Sequence, residues 1–376
     1  MTDTTAGASI QASPVARAAL LAYVLLIVYA SWFPFSGWHN NGISPLSYAQ
    51  HLDLPRYWTV FDASINVAGY IPLGILIVYA LYPRVKSLAA VALTILCGIL
   101  LSGTMEAVQT YLPSRVPSNL DLFTNVAGCC IGAVLGALSV RRVLDQSHLY
   151  RLRQRWFSLR ASQILVLLAL WPLAQIYPQG YLFGHGQLTP ILSAWLSALL
   201  DTSIDLANYL RPGAMLTVEQ YWMSETIITA CGMTGAALTL LCVLRRGAPK
   251  GALVLALIGA AMLVKALASA LLFSPENAFA WITPGAECGF LIGLIMLAGL
   301  AFAPHLVQRR LAVLTLSLSL LIVNATPVNP YFMATLQVWV QGKFLNFNGA
   351  AQFLSLLWPF FALFFLCLPT PKRNQQ

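Results

Sequence analysis

Three pairs of polar residues in this chain have a spacing that could serve binding or chemistry. The members of each pair are three or four positions apart, which places them on one face of a helix. The pairs are Asp62 with Asn66, Glu106 with Gln109, and Asp121 with Asn125. All three pairs lie where a long apolar stretch begins or ends, so several helices could bring them together.

Two residues of this set have side chains suited to catalysis. A partly buried carboxylate such as that of Glu106 can act as a general base. Arg115, the basic residue nearest to it in sequence, could hold a phosphate group. We therefore predict Glu106 and Arg115 as catalytic candidates, with the following residues as candidate ligand-binding groups: Asp62, Asn66, Gln109, Asp121 and Asn125. Taken singly, each also has a structural explanation, such as a first-turn acid that favours the helix dipole or an ion pair between Glu106 and Arg115.

The composition indicates which class of protein contains these residues. Of the 376 residues, 59% are hydrophobic and 9% are charged, whereas soluble domains carry roughly 25% charged residues. This excludes an ordinary soluble domain, and disordered chains are poorer in apolar residues. The apolar runs are long and continuous rather than alternating, which excludes an outer-membrane barrel. We predict an all-α membrane protein, a polytopic bundle of about ten transmembrane helices.

The ten predicted spans follow from the apolar runs, since a spanning helix needs roughly 17–25 residues. They cover residues 17–34, 63–82, 87–106, 122–140, 161–178, 223–244, 251–273, 286–303, 311–329 and 350–369. Residues 189–210 are ambiguous because they contain Asp201 and Asp205. We assign them to an amphipathic surface helix, and a further span is the alternative.

The basic residues predict the orientation of these spans. Cytoplasmic loops carry an excess of Lys and Arg. With this span map, 16 of the 21 Lys and Arg residues fall on one side. Arg56, Arg115, Arg211 and Lys343 fall on the other, and Lys265 lies within a span. Both termini are therefore predicted to be cytoplasmic, in a multi-pass protein of the inner membrane. We attribute the net charge of +9 to the basic residues on the cytoplasmic side, and we predict no nucleic-acid partner.

The polar pairs are predicted to meet at the outer face, around a short loop. Pro113 and Pro117 stiffen the residues between the third and fourth spans. In the fourth span Gly128, Gly132 and Gly136 form a stripe that lets another helix approach closely. The second, third and fourth spans should then enclose a polar pocket formed by the seven candidate site residues.

We predict five regions along the chain. They are a polar cytoplasmic N-terminus at 1–16, a four-helix membrane domain at 17–140, a basic cytoplasmic loop at 141–160, a second membrane bundle at 161–310, and two further helices with a cytoplasmic tail at 311–376. The Arg-rich loop is suited to contact anionic lipid headgroups. The seven cysteines form no CxxC pair, and no His lies at metal-ligand spacing from them, so we predict neither a metal nor another cofactor.

Residues 18–140 resemble a known family. The run Glu106-x-x-Gln109 followed by Leu112-Pro113-x-Arg115-x-x-Ser118-x-x-Asp121-Leu122-x-x-Asn125-x-x-Gly128-x-x-x-Gly132 is similar to the signature of VanZ-like membrane proteins. The upstream run from Asp62 through Asn66 to Ile71-Pro72-Leu73-Gly74 fits as well. The family is named for a protein associated with resistance to the glycopeptide teicoplanin. The resemblance implies a role in the bacterial cell envelope, and it brings no settled reaction with it.

The second half of the chain leaves two interpretations open. Spans five to eight have the predicted orientation of spans one to four, which suggests a degenerate parallel repeat. The alternative is an unrelated second bundle. Lys265, inside a span, is a functional candidate by default, and it could pair with Glu287.

Three functions remain compatible with the sequence. The first is an envelope protein that binds a polar component, such as a lipid-linked or glycan molecule, at its outer pocket. The second is an enzyme acting on such a headgroup, which Glu106→Gln would inactivate. The third is a lipid transporter, which should also depend on Lys265. Membrane lipids are predicted partners in each case, and the oligomeric state stays open.

Overall fold

Every regular secondary-structure element in the described part of the computed structural model is a helix. The structure describes residues 13–33, 35, 37–50, 58–144, 148–158, 161–206, 209, 216–273, 275–327 and 345–368. Most of the predicted cytoplasmic N-terminus and the tail lie outside these residues. So do the following basic residues counted in the topology prediction: Arg56, Arg160, Arg211, Lys343, Lys372 and Arg373. The described residues contain no β-strand, so the predicted all-α fold is confirmed.

The helices are numbered in chain order. They are α1 Pro14–Trp32, α2 Ser47–Gln50, α3 Val60–Leu81, α4 Ser87–Gln109, α5 Asn119–Leu144, α6 His148–Trp156, α7 Ser162–Ala174, α8 Thr189–Leu200, α9 Val218–Val243, α10 Lys250–Leu272, α11 Pro284–Leu300, α12 His305–Ala325 and α13 Leu345–Cys367. The chain divides into two compact units, Met1–Gln154 (unit 1) and Arg155–Gln376 (unit 2).

Eight of the described helices are long and apolar enough to cross a membrane: α1, α3, α4, α5, α9, α10, α12 and α13. The protein is therefore a multi-pass membrane protein. The other two predicted spans correspond to the shorter apolar helices α7 and α11. At 17 residues, α11 is at the lower limit of a spanning helix. At 13 residues, α7 falls short of the ~30 Å hydrocarbon layer on its own.

The early end of α7 has a local cause. Pro172 lies in its last turn, and the side-chain amides of two glutamines bond the carbonyl oxygens that the helix leaves open. Gln175 Nε2 donates to Trp171 O at 3.3 Å, and Gln179 Nε2 donates to Ala174 O at 3.4 Å. Residues 175–188 then continue as irregular chain that is mostly buried.

The ambiguous stretch 189–210 also departs from a continuous helix. α8 has 12 residues and ends at Leu200, and the next residue, Asp201, has a φ of +49°. The chain then turns back, because the Ser197 and Ser193 hydroxyls accept hydrogen bonds from Ile204 N at 2.9 Å and Leu206 N at 3.0 Å. A span over 189–210 in one helix is therefore wrong, while the surface location stays a prediction.

Unit 1 is a bundle of α1, α3, α4 and α5 in which α3 and α5 share the most extensive contact. Helix starts are capped by hydroxyl side chains, as at Ser13 before α1 and Thr59 before α3. The core includes the buried side chains of Leu73, Ile77 and Cys129.

Unit 2 is arranged around α9. Its residues 228–241 are apolar or small on all sides, and every one of them is buried. It packs mainly against α11 and α12, while α7 packs against α10 and α13. The core of unit 2 includes the large buried side chains of Trp171, Met233 and Trp358.

Candidate functional site

A cavity of about 450 Å³ lies in unit 1 beside the loop between α4 and α5. That loop forms one wall, and the segment leading into α2 forms the other. Its polar lining consists of Asn41, Ser47, Tyr48, Thr110, Arg115, Ser118 and Asn119. Its apolar lining consists of Ile43, Leu112, Pro113, Val116 and Pro117. Because α4 ends at Gln109 and α5 begins at Asn119, the cavity lies at the ends of two predicted spans.

Glu106 lies beneath this cavity, in the last turn of α4. Its side chain is buried, with 3% of its surface exposed. Its Oε2 atom accepts a hydrogen bond at 2.8 Å from the backbone N–H of Ser118, which is part of the cavity wall. This hydrogen bond therefore holds in place the loop that forms the cavity wall. The carboxylate also acts on Tyr48, since burial raises the pKa of that phenol and the nearby negative charge of Glu106 raises it further.

Arg115 holds the loop to the end of α1. Its Nε and Nη2 atoms donate to Phe33 O at 3.0 and 2.6 Å, and Nη2 also donates to Ala30 O at 3.1 Å. Gln109 Nε2 donates to Ser31 O at 3.0 Å. These carbonyls belong to the last turn of α1, where a helix lacks internal partners. Partial burial lowers the pKa of Arg115 and the Glu106 carboxylate opposes that shift, yet a guanidinium stays charged in proteins.

The remaining polar residues join neighbouring helices below the loop. Asn66 of α3 donates to Asp121 Oδ1 of α5 at 2.9 Å. Asn125 of α5 donates to Ser102 Oγ of α4 at 3.0 Å, and the Asn125 Oδ1 atom is buried without a partner among the described residues. These two bonds join α3 to α5 and α5 to α4.

Asp62 differs from the other predicted site residues because its side chain is exposed. Thr59 Oγ1 donates to Asp62 Oδ2 at 2.6 Å, and Asp62 N donates to Thr59 Oγ1 at 3.1 Å. These are the bonds of a helix N-terminus. Of the seven residues predicted to enclose a pocket, Arg115 lines the cavity, and Glu106 and Gln109 support it. Asn66, Asp121 and Asn125 connect neighbouring helices, and Asp62 bonds Thr59, the N-cap of α3.

The glycine stripe of α5 lies against α3. A Cβ atom on Gly128 or Gly132 would collide with the backbone of Val67 or Ile71, and one on Gly136 would press on Val78. Only residues without side chains permit such an approach of two helices. This close contact sets the distance between Asn66 and Asp121.

Several cavity residues lie outside the predicted set. Tyr48, Asn41 and Ser47 come from a segment that the span map treated as a loop, and no spacing rule links them to the later helices. Ser102 is four residues before Glu106, a spacing that could have marked it. Within the part of the chain that the structure describes, no group of three or more His, Cys, Asp and Glu residues could hold a metal ion.

A second buried polar cluster lies in unit 2, around His185. The ring atoms Nε2 and Nδ1 of His185 lie 2.5 Å from Gln175 Nε2 and 2.7 Å from Gln179 Nε2. A neutral imidazole has one N–H and one lone pair, so it can accept a hydrogen bond from only one of these two NH₂ groups. Burial, reinforced by the positive charge of Lys265, lowers the pKa of His185 to about 3.

Lys265 and Glu287 do not form the pair that the sequence allowed. Lys265 is buried in α10, with 4% of its surface exposed, whereas Glu287 is exposed near the start of α11. Among the described residues no ion pair joins them.

Comparisons with known proteins agree with the resemblance read from the motifs. Neither a search of curated proteins nor one of solved structures gives a match. The family model of VanZ/LLP1 matches residues 19–140. These include most of α1, all of α3 and α4, most of α5, and the loop that forms one wall of the cavity. Residues 19–140 of this chain are therefore a VanZ-like segment.

Proposed function

We propose that unit 1 binds a polar component of the bacterial cell envelope in the cavity at the end of α4. On this proposal the protein resides in the bacterial cytoplasmic membrane, with the cavity on its outer side. A link to glycopeptide resistance would follow if the bound component is one that affects the action of such antibiotics.

The main support for the proposal is that residues of the VanZ-like signature form the cavity. Leu112, Pro113, Arg115 and Ser118 of the signature line it. Signature residues Glu106 and Gln109 hold the loop in place through Ser118 N and Ser31 O. A sequence motif that determines the wall of a cavity of this size is suited to recognition, since ligand pockets occupy roughly 300–1,000 Å³.

The test is to fill the cavity and identify what is lost. Val116 lines it with 83% of its surface exposed, so Val116→Trp should obstruct the cavity without entering the core. Leu88→Trp is the matched control, because Leu88 is also 83% exposed and does not line the cavity. Wild type and both variants are purified from native membranes, and bound molecules are identified by mass spectrometry.

We expect a species that accompanies wild type and Leu88→Trp and is absent from Val116→Trp. The proposal is overturned if all three preparations carry the same bound molecules, or if none carries any.

Catalysis is the second candidate, and the buried Glu106 carboxylate directly behind the cavity wall favours it. Glu106→Gln keeps an oxygen that can accept the Ser118 N–H while removing the base. If the deletion strain loses an envelope lipid or glycan that the native protein restores and Glu106→Gln does not, the site carries out chemistry. If Glu106→Gln restores the profile fully, Glu106 is a structural support of a binding site.

A further inference from the structure

Among the described residues, the lining of the unit 1 cavity is largely uncharged, and several of its side chains can form hydrogen bonds. It combines the hydroxyls of Ser47, Tyr48, Thr110 and Ser118 with the amides of Asn41 and Asn119. The hydroxyls of Tyr48 and Thr110 donate to Gly103 O and Ala107 O. Each hydroxyl oxygen can still accept a hydrogen bond, so the lining can match a ligand that donates. A polyhydroxylated group such as a sugar has this character.

The charged groups near the cavity do not favour an anionic ligand. Among the residues that the structure describes, Arg115 is the one charged residue that lines it, and its Nε and Nη2 atoms donate to carbonyls at the end of α1. Glu106 behind the wall contributes a carboxylate close to that guanidinium, and its charge acts on Arg115. A phosphate headgroup would therefore meet an arginine whose Nε and Nη2 donors are engaged.

The outer part of the cavity is apolar and exposed. Ile43 and Val116 line it with 54% and 83% of their surfaces exposed. Both lie beside the ends of α4 and α5, the level at which predicted spans meet the headgroup region. Trp38 and Leu46, in the same segment as Ile43, are also exposed. Exposed apolar side chains at this level are suited to contact acyl chains or the glycerol region of a lipid.

We propose that the cavity binds the uncharged sugar headgroup of a membrane glycolipid, with the lipid tail passing over Ile43 and Val116 into the bilayer. This inference rests on the proposed binding function and adds the class of ligand. The sugar hydroxyls bond the Ser, Thr, Tyr and Asn side chains of the lining, and the tail accounts for the apolar outer part.

The experiment compares headgroups with the full chain in nanodiscs of phosphatidylethanolamine. One preparation contains a glucosyl diacylglycerol and a second contains phosphatidylglycerol at the same mole fraction. A third contains neither lipid and receives free maltose in solution. Native mass spectrometry measures the ligand retained by wild type, Val116→Trp, Asn41→Leu and the control Leu88→Trp.

Wild type and Leu88→Trp should retain the glucosyl lipid about tenfold better than phosphatidylglycerol, a difference of ~1.4 kcal/mol. Val116→Trp should lose most of this preference by obstruction, and Asn41→Leu should reduce it by removing a lining amide. Free maltose should be retained weakly.

Other outcomes overturn the inference in distinguishable ways. Equal or better retention of phosphatidylglycerol, sensitive to Val116→Trp, would refute the sugar headgroup while the binding function stands. Maltose retained as well as the glucosyl lipid would refute the role of the tail. If no lipid or sugar is sensitive to Val116→Trp, the glycolipid assignment is wrong. The native-membrane comparison then decides whether the cavity binds anything else.

Discussion

Arg115 combines two tasks at the scale of a single residue, because it lines the cavity and bonds the end of α1. The planar guanidinium reaches Ala30 O and Phe33 O together, which the point charge of a lysine ammonium cannot reproduce. We expect Arg115→Lys to lower the free energy of unfolding by about 1.5–3 kcal/mol, the range of a hydrogen bond to a charged group. Thermal unfolding in detergent would measure this, with the exposed Arg84→Lys as control. We call these hydrogen bonds from Arg115 to Ala30 O and Phe33 O the clamp on α1. Equal melting temperatures would show that the clamp contributes little to stability.

His185 predicts an acid sensitivity of unit 2. The ordinary pKa of histidine is 6.5, and that of buried His185 is lowered to about 3. Between these values the unfolded chain binds a proton that the folded chain excludes. The contribution of neutral His185 to stability is therefore full above pH 6.5 and declines as the pH falls towards 3, by up to ~1.4 kcal/mol per pH unit.

The variant His185→Gln removes this titration, so it should lose less stability than wild type between pH 7 and pH 4.5. The exposed His39→Gln should behave as wild type. Melting temperatures followed by tryptophan fluorescence at several pH values make the comparison. An acid response of His185→Gln identical to wild type would contradict the assignment.

At the scale of the helices, the contact of α3 with α5 depends on glycine. Gly132→Ala places a Cβ against the backbone of Ile71, which cannot yield as a flexible side chain would. We expect a loss of ~1–3 kcal/mol, the usual range for overpacking. Gly69→Ala in α3 is the matched control, because a Cβ there meets open space. Unfolding of the two variants in the same detergent measures the difference, and equal stabilities would show that α3 and α5 can separate without penalty.

A glycine-mediated helix contact recurs in unit 2. Gly285, Gly289 and Gly293 of α11 have the same four-residue spacing as the stripe of α5. Added Cβ atoms there would meet Glu225, Thr226 and Met233 of α9. The similarity is what a parallel duplication would produce, and the duplication stays a prediction. The polar residues of the VanZ-like signature are not repeated in the sequence of unit 2. The shared feature is therefore the helix packing, and not a second copy of the cavity.

At the scale of the whole molecule, the helical multi-span class followed directly from the sequence. Apolar runs of sufficient length marked the eight long helices, because hydropathy and helix length are coupled in a bilayer. The same rule failed to show that α7 stops at Ala174. A buried irregular segment is as apolar as a helix, and the glutamine side chains that terminate α7 act through contacts that periodicity does not reveal.

The candidate site was accessible to sequence reasoning only in part. Helical spacing and the VanZ-like motif indicated the residues of α3, α4 and α5. They did not indicate Tyr48 or Asn41, since these come from a segment with no periodic pattern. Nor could spacing distinguish Arg115 as a clamp on α1 from Arg115 as a ligand for phosphate, because the acceptors are backbone carbonyls more than 80 residues away.

The orientation of the chain in the membrane is a prediction for the intact cell. Ser114 is exposed in the loop between α4 and α5, and Gly247 is exposed between α9 and α10. In a variant with all native cysteines replaced, Ser114→Cys should react with a membrane-impermeant maleimide on intact cells. Gly247→Cys should react only after the cells are opened. The predicted positions of the basic loops require a single net crossing of the membrane between residues 160 and 217. Labelling of Gly247→Cys on intact cells would contradict that topology.

The clamp on α1 also has a consequence for biogenesis. Arg115 follows its acceptor Phe33 by 82 residues. At ~5–20 residues per second, the ribosome needs roughly 4–16 s to synthesise that stretch. During this interval the newly inserted first helix ends in carbonyl oxygens that only water or lipid headgroups can satisfy. A nascent chain released before residue 115 would lack both the clamp and helix α5, against which α3 packs, so it could not complete unit 1.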